Sequence, residues 1–323
     1  MDLNFTKITK TSSDEKKGDE KVLILGSGPA GMSAALYAAR AEMKPLLLAG
    51  LELHGQVALT YTVENYPGFP EGIGGPELGD LFQKQAERFG ARVEYDSATE
   101  VDLSQRPYKV ATYSGTYFTD SLIIATGATP NHLNVPGEKE LTGRGVSYCA
   151  TCDGWFFKDK PVVVVGGGDS ALEEGIFLTR YASSVTIIHR RDTLRAGAIL
   201  QNRASANSKI KFIWDTIVTQ INGDEKVETL SLENVKTGEK TTLKTDGIFI
   251  FIGHKPNTEA FAGQLDMDEN GYITTNMLME TSKPGVFAAG EAADPTFRQV
   301  ITSAGMGAAA AIQAVKYLEA QEA

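Results

Sequence analysis

The chain reads Lys21-Val22-Leu23-Ile24-Leu25-Gly26-Ser27-Gly28-Pro29-Ala30-Gly31 near its start, an apolar run followed at once by a glycine-rich turn. The apolar run predicts a buried strand. The pattern after the turn predicts a helix through Arg40, and Pro45–Leu48 predicts a second strand. This order of strand, tight turn, helix and strand is that of a β-α-β unit.

The same series returns from Gly166, which lies 140 positions after Gly26. The second copy predicts a strand, a turn, a helix and another strand at Val162–Val165, Gly166–Ala171, about 172 to Tyr181, and Val185–Ile188. The copies align without a gap from the first glycine to the second strand. We therefore expect an α/β protein with two Rossmann-like dinucleotide-binding domains.

Each turn has the residues that a dinucleotide site needs. The first glycine permits the tight bend, the second lets backbone amides approach a pyrophosphate, and the third small residue lets the helix pack on the strand. The helix N-terminus adds N–H donors and the positive end of a dipole. A ligand-free glycine turn is the alternative, but two correctly flanked copies favour binding. The candidate contacts are Gly26, Ser27, Gly28, Pro29, Ala30 and Gly31 in the first turn, and Gly166, Gly167, Gly168, Asp169 and Ser170 in the second.

The copies differ where the nucleotide is selected. The second strand of the later copy ends in His189-Arg190-Arg191-Asp192, and Arg195 follows. Guanidinium groups suit a 2′-phosphate, so this copy predicts an NADPH site, with a solvated basic turn as the alternative. In the first copy Gly50 stands in the place of Arg190, and Glu52 could hold an adenosine ribose.

Two later segments indicate a flavin in the first domain. Tyr117–Ile124 predicts a strand that ends in Ala125-Thr126-Gly127-Ala128, and Gly285–Ala289 predicts a strand followed by Gly290 and Glu291. An acid after glycine can bind a polyol hydroxyl. A helix rich in small residues follows from about Arg298. The small residues would let the helix backbone approach a large planar ligand; the alternative is that they pack closely against a sheet.

The chain contains two cysteines, Cys149 and Cys152, in a Cys-x-x-Cys pair. Such a pair can form a disulfide and exchange two electrons with another dithiol. A zinc site would need about four ligands, and the histidines, His54, His132, His189 and His254, do not have ligand spacing from Cys149. We expect no metal. A close pair with no other cysteine suits a reducing compartment, which predicts a cytoplasmic location.

The charge and hydropathy of the chain disfavour some classes of binding partner. The net charge is −10 over 323 residues, without a long basic run, so nucleic acid and anionic membranes are poor candidates. Residues 1–20 are polar and predict a disordered tail without a signal peptide. We find no apolar stretch long enough to span a bilayer.

Several motifs now combine in one order and resemble the low-molecular-weight thioredoxin reductases over residues 20–320. They are Gly26–Gly31, Gly55-Gln56, Val63–Gly68, Ala125–Gly127, Cys149–Gly154, Gly166–Gly168, His189–Asp192 with Arg195, Gly253–Asn257, and Arg298-Gln299. The resemblance implies a homodimer that carries FAD and NADPH. It places an FAD domain at 21–131 and 254–323, and an inserted NADPH domain with the cysteine pair at 132–253. Paired crossings near Asn131 and Gly253 would allow a hinge.

The resemblance also assigns roles. Hydride passes from NADPH to FAD, then to the Cys149–Cys152 disulfide, and then to oxidised thioredoxin. Cys152 is the thiol next to the flavin, Cys149 attacks thioredoxin, and Asp153 is the acid/base group, or else only complements a helix dipole. Arg190, Arg191 and Arg195 match phosphate ligands. The positions that match FAD contacts, besides the first turn and Glu52, are Gly55, Gln56, Asn65, Thr126, Gly127, Gly290, Glu291, Arg298, Gln299 and Val300.

Three positions depart from the family pattern. Glu291 stands where aspartate is usual, His54 where a second glycine is frequent, and Trp155 where other residues are common. Three alternative functions share much of the sequence pattern. They are reduction of another dithiol protein, glutaredoxin-like or peroxidase-associated, an oxygen-reducing dithiol oxidase, and a flavin redox sensor. The intact second turn with its arginines argues against the oxidase.

Overall fold

The structure is a computed structural model that describes residues 15–50, 52–60 and 62–322. Its strands and α-helices in chain order are β1 (Lys16–Leu25), α1 (Pro29–Arg40), β2 (Leu46–Leu48), α2 (Gly75–Arg88), β3 (Arg92–Glu94), β4 (Ala98–Asp102), β5 (Tyr108–Thr112), β6 (Thr116–Ile124), β7 (Ala128–Pro130), β8 (Val146–Ser147), α3 (Ala150–Asp153), β9 (Pro161–Val165), α4 (Asp169–Leu178), β10 (Ser184–Ile188), α5 (Ala198–Ala206), β11 (Ile210–Ile213), β12 (Thr216–Asn222), β13 (Thr229–Asn234), β14 (Lys240–Lys244), β15 (Gly247–Ile250), β16 (His254–Pro256), β17 (Val286–Ala288) and α6 (Val300–Glu322). Short 3₁₀ turns lie at Gly55–Leu59, Gly154–Phe157, Glu259–Phe261 and Gly290–Ala292.

The chain divides into two compact units. Within the described residues, the first unit comprises the chain up to Thr62, Tyr66–Thr129, and the chain from Lys255 onward. The second comprises Val63–Asn65 and Pro130–His254. The second unit is therefore, apart from three residues, one continuous insertion into the first.

The first unit is built on a seven-stranded sheet. Its order is β3-β2-β1-β6-β5-β4, and β17 also pairs with β6. The strands β3, β2, β1, β6 and β17 pair in parallel, while β5 and β4 are antiparallel to their neighbours. Helices α1 and α6 cover one face of the parallel part through the hydrophobic cluster that contains Val22 and Ile24, whereas Leu23 and Leu25 pack on the other face.

The second unit repeats this plan. Its five-stranded parallel sheet has the order β11-β10-β9-β15-β8, and a separate antiparallel sheet has the order β12-β13-β14. Val162 and Val164 of β9 pack in one cluster with residues of α4 and α5, while Val163 and Val165 pack in another with residues of β12 and β13. The predicted α/β fold with two Rossmann-like units is confirmed.

The two units share the same register at the centre of each sheet. Leu23 pairs with Leu46 in the first unit, and Val163 pairs with Thr186 in the second, so both partners are shifted by the same 140 positions. The N–H of Gly26 donates to the carbonyl of Leu48 (2.9 Å), and Gly166 donates likewise to Ile188 (3.2 Å). The sequence repeat is therefore a repeat in three dimensions.

The expected disordered tail was wrong for its last residues. Lys16–Glu20 form the first part of β1 and pair with Thr116–Thr119 of β6. This pairing gives hydrogen-bond partners to backbone groups that would be left to water in a disordered tail. Residues 1–14 lie outside the described part of the chain. Across that described part, no helix is long and apolar enough to cross a membrane.

Helix α6 begins at Val300 rather than Arg298, and its small residues pack against α1. A Cβ at Gly307 would lie 1.9 Å from the carbonyl oxygen of Ala30, so the two helices touch through backbone at this point. Ala310, Ala311 and Ala314 are fully buried in the same cluster as α1. Most of the small-residue pattern therefore serves helix packing, the alternative weighed from the sequence.

The two connections between the units are the short paired strands β7 and β16. Each unit also closes its own gap in the chain with a hydrogen bond. In the first unit the N–H of Asn257 donates to the carbonyl of Gly127 (2.9 Å), and in the second the N–H of Asn131 donates to the carbonyl of Gly253 (2.9 Å).

Candidate active site and nucleotide sites

The first glycine-rich turn has no room for side chains at two of its positions. Gly26 has a φ of +103°, and a Cβ there would lie 2.3 Å from the carbonyl oxygen of Ala125. A Cβ at Gly31 would lie 1.8 Å from the carbonyl oxygen of Gly26. At Gly28 the nearest atom to a Cβ, the carbonyl oxygen of His54, is 4.0 Å away, so this face of the turn is open.

The open face borders a cavity of about 510 Å³ in the first unit. The cavity brings together many of the predicted contacts from distant parts of the sequence, namely Gly26, Ser27, Gly28, Pro29, Ala30, Glu52, Gly55, Gln56, Thr126, Gly127, Gly290 and Glu291. Sequence reasoning missed other lining residues, including Ser97, Asn257, Glu259 and Phe261, whereas Ser303 belongs to the helix of small residues that was predicted to approach a planar ligand. The motif that ends in Asn257 was a usable signal, since its Nδ2 donates to the carbonyl of Thr126 (3.0 Å).

Five of the predicted contacts do not line this cavity. Gly31 lies beneath the turn, against Gly26. Asn65 belongs to the segment grouped with the second unit. Arg298, Gln299 and Val300 lie where α6 begins, in a loop that the buried Asp294 holds by accepting hydrogen bonds from the amides of Thr296, Phe297 and Arg298.

Two polar groups in the cavity, on Thr126 and Glu291, are able to form hydrogen bonds with a polar ligand. The hydroxyl of Thr126 is buried and has no hydrogen-bond partner among the described residues. Burial raises the pKa of Glu291 to about 7, although Arg298 opposes the shift. Near neutral pH the carboxyl group of Glu291 can therefore either donate or accept a hydrogen bond, as a sugar-like hydroxyl requires.

His54, one of the three departures, is accommodated by the neighbouring helix. The residue is buried with a φ of +64°, and its Nε2 lies 3.0 Å from Oε1 of Gln83 in α2. A Cβ at Gly79 would lie 2.5 Å from the imidazole, so the glycine makes the space for the ring. The backbone N–H of His54 donates to Oγ of Ser27 (2.9 Å), which ties this loop to the first turn.

The second glycine-rich turn has an open face and a covered one. Nothing lies within 4 Å of a Cβ placed at Gly168, the residue before α4. The buried ring of His189 covers Gly167, where a Cβ would lie 2.4 Å from the imidazole. Nε2 of His189 has no hydrogen-bond partner within the described chain, and burial lowers the pKa of the imidazole.

The exposed arginines are held beside this turn by backbone contacts. The N–H groups of Arg195 and Ala196 donate to the carbonyl of Gly167 at 2.7 and 3.2 Å. Oδ1 of Asp169 accepts from the N–H of Gly197 (2.7 Å), so the carboxylate of Asp169 holds the loop. Arg190 and Arg191 follow His189 at the end of β10, and both are exposed.

Lys236 forms ion pairs with two carboxylates beside the arginines. Nζ of Lys236 lies 2.8 Å from Asp192 and 3.0 Å from Asp215. The N–H of Asp215 donates to the carbonyl of Arg191 (3.3 Å), which places the pair of carboxylates at the arginine turn. Since Lys236 offsets negative charge there, the turn remains attractive to an anion.

Cys149 and Cys152 form a disulfide at the start of α3. The backbone N–H of Cys152 donates to Sγ of Cys149 (3.1 Å), and Oγ1 of Thr151 lies 3.3 Å from the same sulfur. Hydrogen bonds of this kind stabilise a thiolate once the disulfide is reduced. The arrangement therefore favours negative charge on Cys149.

Groups of three or more His, Cys, Asp or Glu able to hold a metal ion are absent from the described residues.

Asp153 adjoins the disulfide and has a perturbed carboxyl group. Burial raises its pKa, and the hydroxyl of Ser147 opposes the shift. A carboxyl with a raised pKa keeps its proton closer to neutral pH and can transfer it to a leaving thiolate. The acid/base role of Asp153 stays a prediction, and the raised pKa of its carboxyl group supports it.

Two aromatic side chains are exposed directly after the redox segment. Trp155 is 53% exposed and Phe156 is 38% exposed. The ring of Trp155 packs edge-on against Tyr181 (5.8 Å between centroids), and Nζ of Lys158 lies 5.3 Å from its centroid. An aromatic pair beside a disulfide is suited to contact with a protein, since such side chains are enriched at protein interfaces.

An anion-attracting nucleotide turn and a disulfide on the same unit define the class of oxidoreductase that exchanges electrons between a nicotinamide and sulfur. The family described as Pyridine nucleotide-disulphide oxidoreductase matches residues 20–307. A thioredoxin reductase of Streptomyces coelicolor is 51% identical over 93% of this chain and 94% of the relative. A bifunctional thioredoxin reductase/thioredoxin of Mycobacterium leprae is 49% identical over 92% of this chain and 66% of the relative.

A solved structure gives the same result. The crystal structure of thioredoxin reductase from Streptococcus pyogenes superposes with a TM-score of 0.90 at 44% identity, over 94% of this chain and 99% of that one. The chain belongs to the pyridine nucleotide-disulphide oxidoreductase family, and within it to the thioredoxin reductases. The resemblance drawn from the motifs is thereby confirmed. This family uses FAD and NADPH.

Proposed function

We propose that this chain reduces the disulfide of a thioredoxin with electrons from NADPH, through FAD and the Cys149–Cys152 pair. The observation that carries the proposal is a disulfide with an adjacent carboxyl of raised pKa, in a chain half identical to thioredoxin reductases. In the overall reaction NADPH and one proton reduce the partner disulfide to two thiols, and NADP⁺ is released.

The first unit is the proposed FAD domain. Its cavity fits FAD because the open turn at Gly28 and the start of α1 suit a pyrophosphate, while Glu52 suits an adenosine ribose. The unpartnered hydroxyl of Thr126 and the carboxyl of Glu291 would hold polar atoms of the flavin and its ribityl chain. When bound, FAD supplies the two-electron transfer between the nicotinamide and the disulfide.

The second unit is the proposed NADPH domain. The open turn at Gly168 would receive the pyrophosphate, and the guanidinium groups of Arg190, Arg191 and Arg195 would hold the 2′-phosphate. Besides these guanidinium groups, the buried Nε2 of His189, which has no hydrogen-bond partner within the described chain, would fit a phosphate oxygen. Asp169 acts through its bond to Gly197, which holds the arginine loop, rather than as a ligand of the anionic nucleotide.

The two sulfurs have different proposed roles. Reduction opens the disulfide, and the thiolate of Cys149, stabilised by the N–H of Cys152, attacks the disulfide of the partner. One partner sulfur leaves, and Asp153 supplies its proton. The thiol of Cys152 then gives up its proton and attacks the sulfur of Cys149. The second partner sulfur leaves and takes up that proton, so the partner is released as a dithiol and the Cys149–Cys152 disulfide is restored.

The proposed partner is a protein with a disulfide of its own. The exposed Trp155 and Phe156 offer a contact surface that a small disulfide could not use fully. A relative named for both a thioredoxin reductase and a thioredoxin supports thioredoxin rather than another dithiol protein.

The assembly and location are also proposals. We infer a homodimer, supported by exposed apolar side chains on the first unit, among them Tyr37, Leu81, Ile301 and Ile312, each at least 40% exposed. Sedimentation equilibrium would show a monomer if this inference is wrong. A cytoplasmic location is supported by the pairing of both cysteines at one redox site.

A matched pair of cysteine variants tests the proposal. With NADPH and oxidised thioredoxin, the Cys152→Ser variant should accumulate a covalent mixed disulfide through Cys149, because the resolving thiol is missing. Cys149→Ser should form none, and neither variant should turn over. Mass spectrometry identifies the linkage. Trapping by Cys149→Ser alone would reverse the two roles.

The partner is tested with the unmodified enzyme. The rate of nicotinamide oxidation is compared for thioredoxin, a glutaredoxin-like protein and a low-molecular-weight disulfide, with NADPH and with NADH. Turnover restricted to NADPH and thioredoxin is expected. A single reduction without turnover on any of these would instead indicate a redox sensor.

A further inference from the structure

A buried carboxylate in the second unit joins two segments of the chain by hydrogen bonds. Glu138 is 4% exposed and lies in the loop between β7 and β8. Its Oε1 accepts from the backbone N–H of Leu133 (3.0 Å) and from the phenol of Tyr148 (2.8 Å), and its Oε2 accepts from the N–H of Asn134 (2.7 Å). These donors offset the unfavourable burial of a charged group.

The two segments are the entry of the chain into the second unit and the start of the redox segment. Leu133 and Asn134 follow β7, the first of the two connections between the units. Tyr148 follows β8 and directly precedes Cys149. One carboxylate therefore ties the covalent neighbour of the proposed attacking cysteine to the loop that follows the crossing.

The imidazole of His132 extends this arrangement to the surface. Its Nδ1 lies 2.8 Å from the phenol oxygen of Tyr148 and 3.3 Å from Oε1 of Glu138. Since a carboxylate only accepts and a phenol has one proton, Tyr148 donates to Glu138 while its oxygen accepts from Nδ1–H of His132. The rings of His132 and Tyr148 also pack edge-on, with 5.2 Å between centroids. Burial and the carboxylate of Glu138 raise the pKa of Tyr148, so its phenol keeps the proton that it donates.

The loop that carries Glu138 is itself fixed by backbone contacts. Gly137 has a φ of +86°, and a Cβ there would lie 1.9 Å from the carbonyl oxygen of Ile221 in β12. The N–H of Ile221 donates to the carbonyl of Pro136 (2.9 Å), and the hydroxyl of Thr142 donates to the carbonyl of Glu138 (2.8 Å). The carboxylate is therefore a fixed anchor for Tyr148.

We infer that Tyr148 and Glu138 are positioning residues, which hold the backbone before Cys149 in the place from which its sulfur attacks the partner disulfide. This inference rests on the proposed role of Cys149. Strand β8 ends at Ser147, so the sheet no longer pairs with the chain at Tyr148, and the bond to Glu138 takes over there. Sγ of Cys149 accepts from the N–H of Cys152 (3.1 Å) only while the turn that contains both keeps this geometry.

The test is thioredoxin reduction by the FAD-loaded Tyr148→Phe variant, which loses the hydroxyl and keeps the ring. We expect kcat to fall about 10-fold, within the loss of up to about 100-fold that a 1 Å misplacement of reacting atoms can cause. The KM for thioredoxin should change less than about twofold, because the exposed Trp155 and Phe156 are untouched. Tyr117→Phe is the matched control, since the phenol of Tyr117 also donates to a glutamate, Oε2 of Glu94 (2.6 Å), but in the first unit. It should keep the wild-type kcat.

A second measurement needs no thioredoxin. In the enzyme reduced with dithiothreitol, alkylation of Cys149 by iodoacetamide at neutral pH should slow about three- to tenfold in Tyr148→Phe, as expected when a thiolate loses part of a hydrogen bond. The rate should be unchanged in Tyr117→Phe. Peptide mass spectrometry identifies the alkylated cysteine, and thermal unfolding compares the stability of the two variants. A slower reaction of Cys149 in Tyr148→Phe alone, at similar stability of both, separates positioning from a general loss of stability.

A double variant tests whether Tyr148 acts through Glu138. Glu138→Gln weakens the same contact from its other side, so Tyr148→Phe combined with Glu138→Gln should lose no more activity than the more affected single variant. Losses that multiply would show that Tyr148 acts independently of Glu138 and would refute the inference. If Glu138→Gln does not fold, Tyr148→Phe and its control decide the question.

The outcomes separate this inference from the proposed function. Wild-type rates of turnover and alkylation in Tyr148→Phe, or equal losses in Tyr117→Phe, would show that the inference is wrong while thioredoxin reduction by the unmodified enzyme stands. A wild-type enzyme that does not reduce thioredoxin would overturn the proposed function, and the alkylation rates of Cys149 would still show whether Tyr148 positions it.

Discussion

Gly28→Ala and Gly168→Ala form a matched pair that tests which unit binds which cofactor. Both glycines precede a helix in extended backbone, with φ and ψ of −66° and −179° at Gly28 and −94° and −177° at Gly168, which alanine can adopt. A Cβ would meet its nearest atom at 4.0 Å in the first case and none within 4 Å in the second. Neither variant should lose more than about 1 kcal/mol of folding stability.

The added methyl group nevertheless occupies the face where a pyrophosphate would approach the backbone. Crowding of this kind costs about 1–3 kcal/mol, which corresponds to about a 5- to 150-fold increase in Kd. Gly28→Ala should therefore bind FAD more weakly, and Gly168→Ala should bind NADPH more weakly with FAD unaffected. By contrast, Gly31→Ala would place a Cβ 1.8 Å from a carbonyl oxygen and should destabilise the fold itself.

The assay has three parts for each variant. FAD affinity is measured by fluorescence titration of the cofactor-free protein, NADPH affinity by titration of the FAD-loaded enzyme, and stability by thermal unfolding without ligand. The assignment of the units is refuted if Gly28→Ala weakens NADPH binding and spares FAD, or if Gly168→Ala weakens FAD binding. A loss of clearly more than about 1 kcal/mol of folding stability in either ligand-free variant would refute the steric reasoning.

Three further outcomes are expected. Replacing Arg190 and Arg191 with alanine should raise the KM for NADPH by about 10- to 150-fold per lost charged contact and leave NADH almost unchanged, whereas equal losses would rule out the 2′-phosphate assignment. Lys236→Ala should raise the KM for NADPH about two- to fivefold at low salt and less at high salt, and a salt-independent effect would exclude a role for its charge. The pKa of Glu291 is raised from 4.5 to about 7, so the FAD-free protein should lose stability as the pH rises from about 4.5 to about 7. Thermal unfolding of Glu291→Gln should not show this fall in stability with pH. An unchanged fall would mean that another group causes it.

The sequence predicted the parts of the site that depend on local backbone. Both turns were found because the tight bend at Gly26 and the open approach at Gly28 restrict the residue type directly. The cysteine pair was found because its spacing alone permits a disulfide. The structure adds that the strand register is the same in both units, in keeping with the equal spacing between strand and turn in the two sequence copies.

Other features depended on contacts between distant segments. Phe261 lines the cavity without any motif of its own, because the fold brings it there. Gly307 was open to two interpretations until its approach to Ala30 showed helix packing.

The hydrogen bonds that close each unit have a consequence for modularity. Gly127 is bonded to Asn257, and Asn131 to Gly253, so each unit already holds its own two cut ends together. Removing residues 130–254 and joining the flanks by a short turn would keep the bond between Gly127 and Asn257, and closing so short a loop costs little entropy. The insert, with its adjacent termini, could likewise be transplanted as a cassette. If the insert is the electron-donor domain, as proposed above, its exchange would leave intact the hydrogen bond that joins the host segments at Gly127 and Asn257.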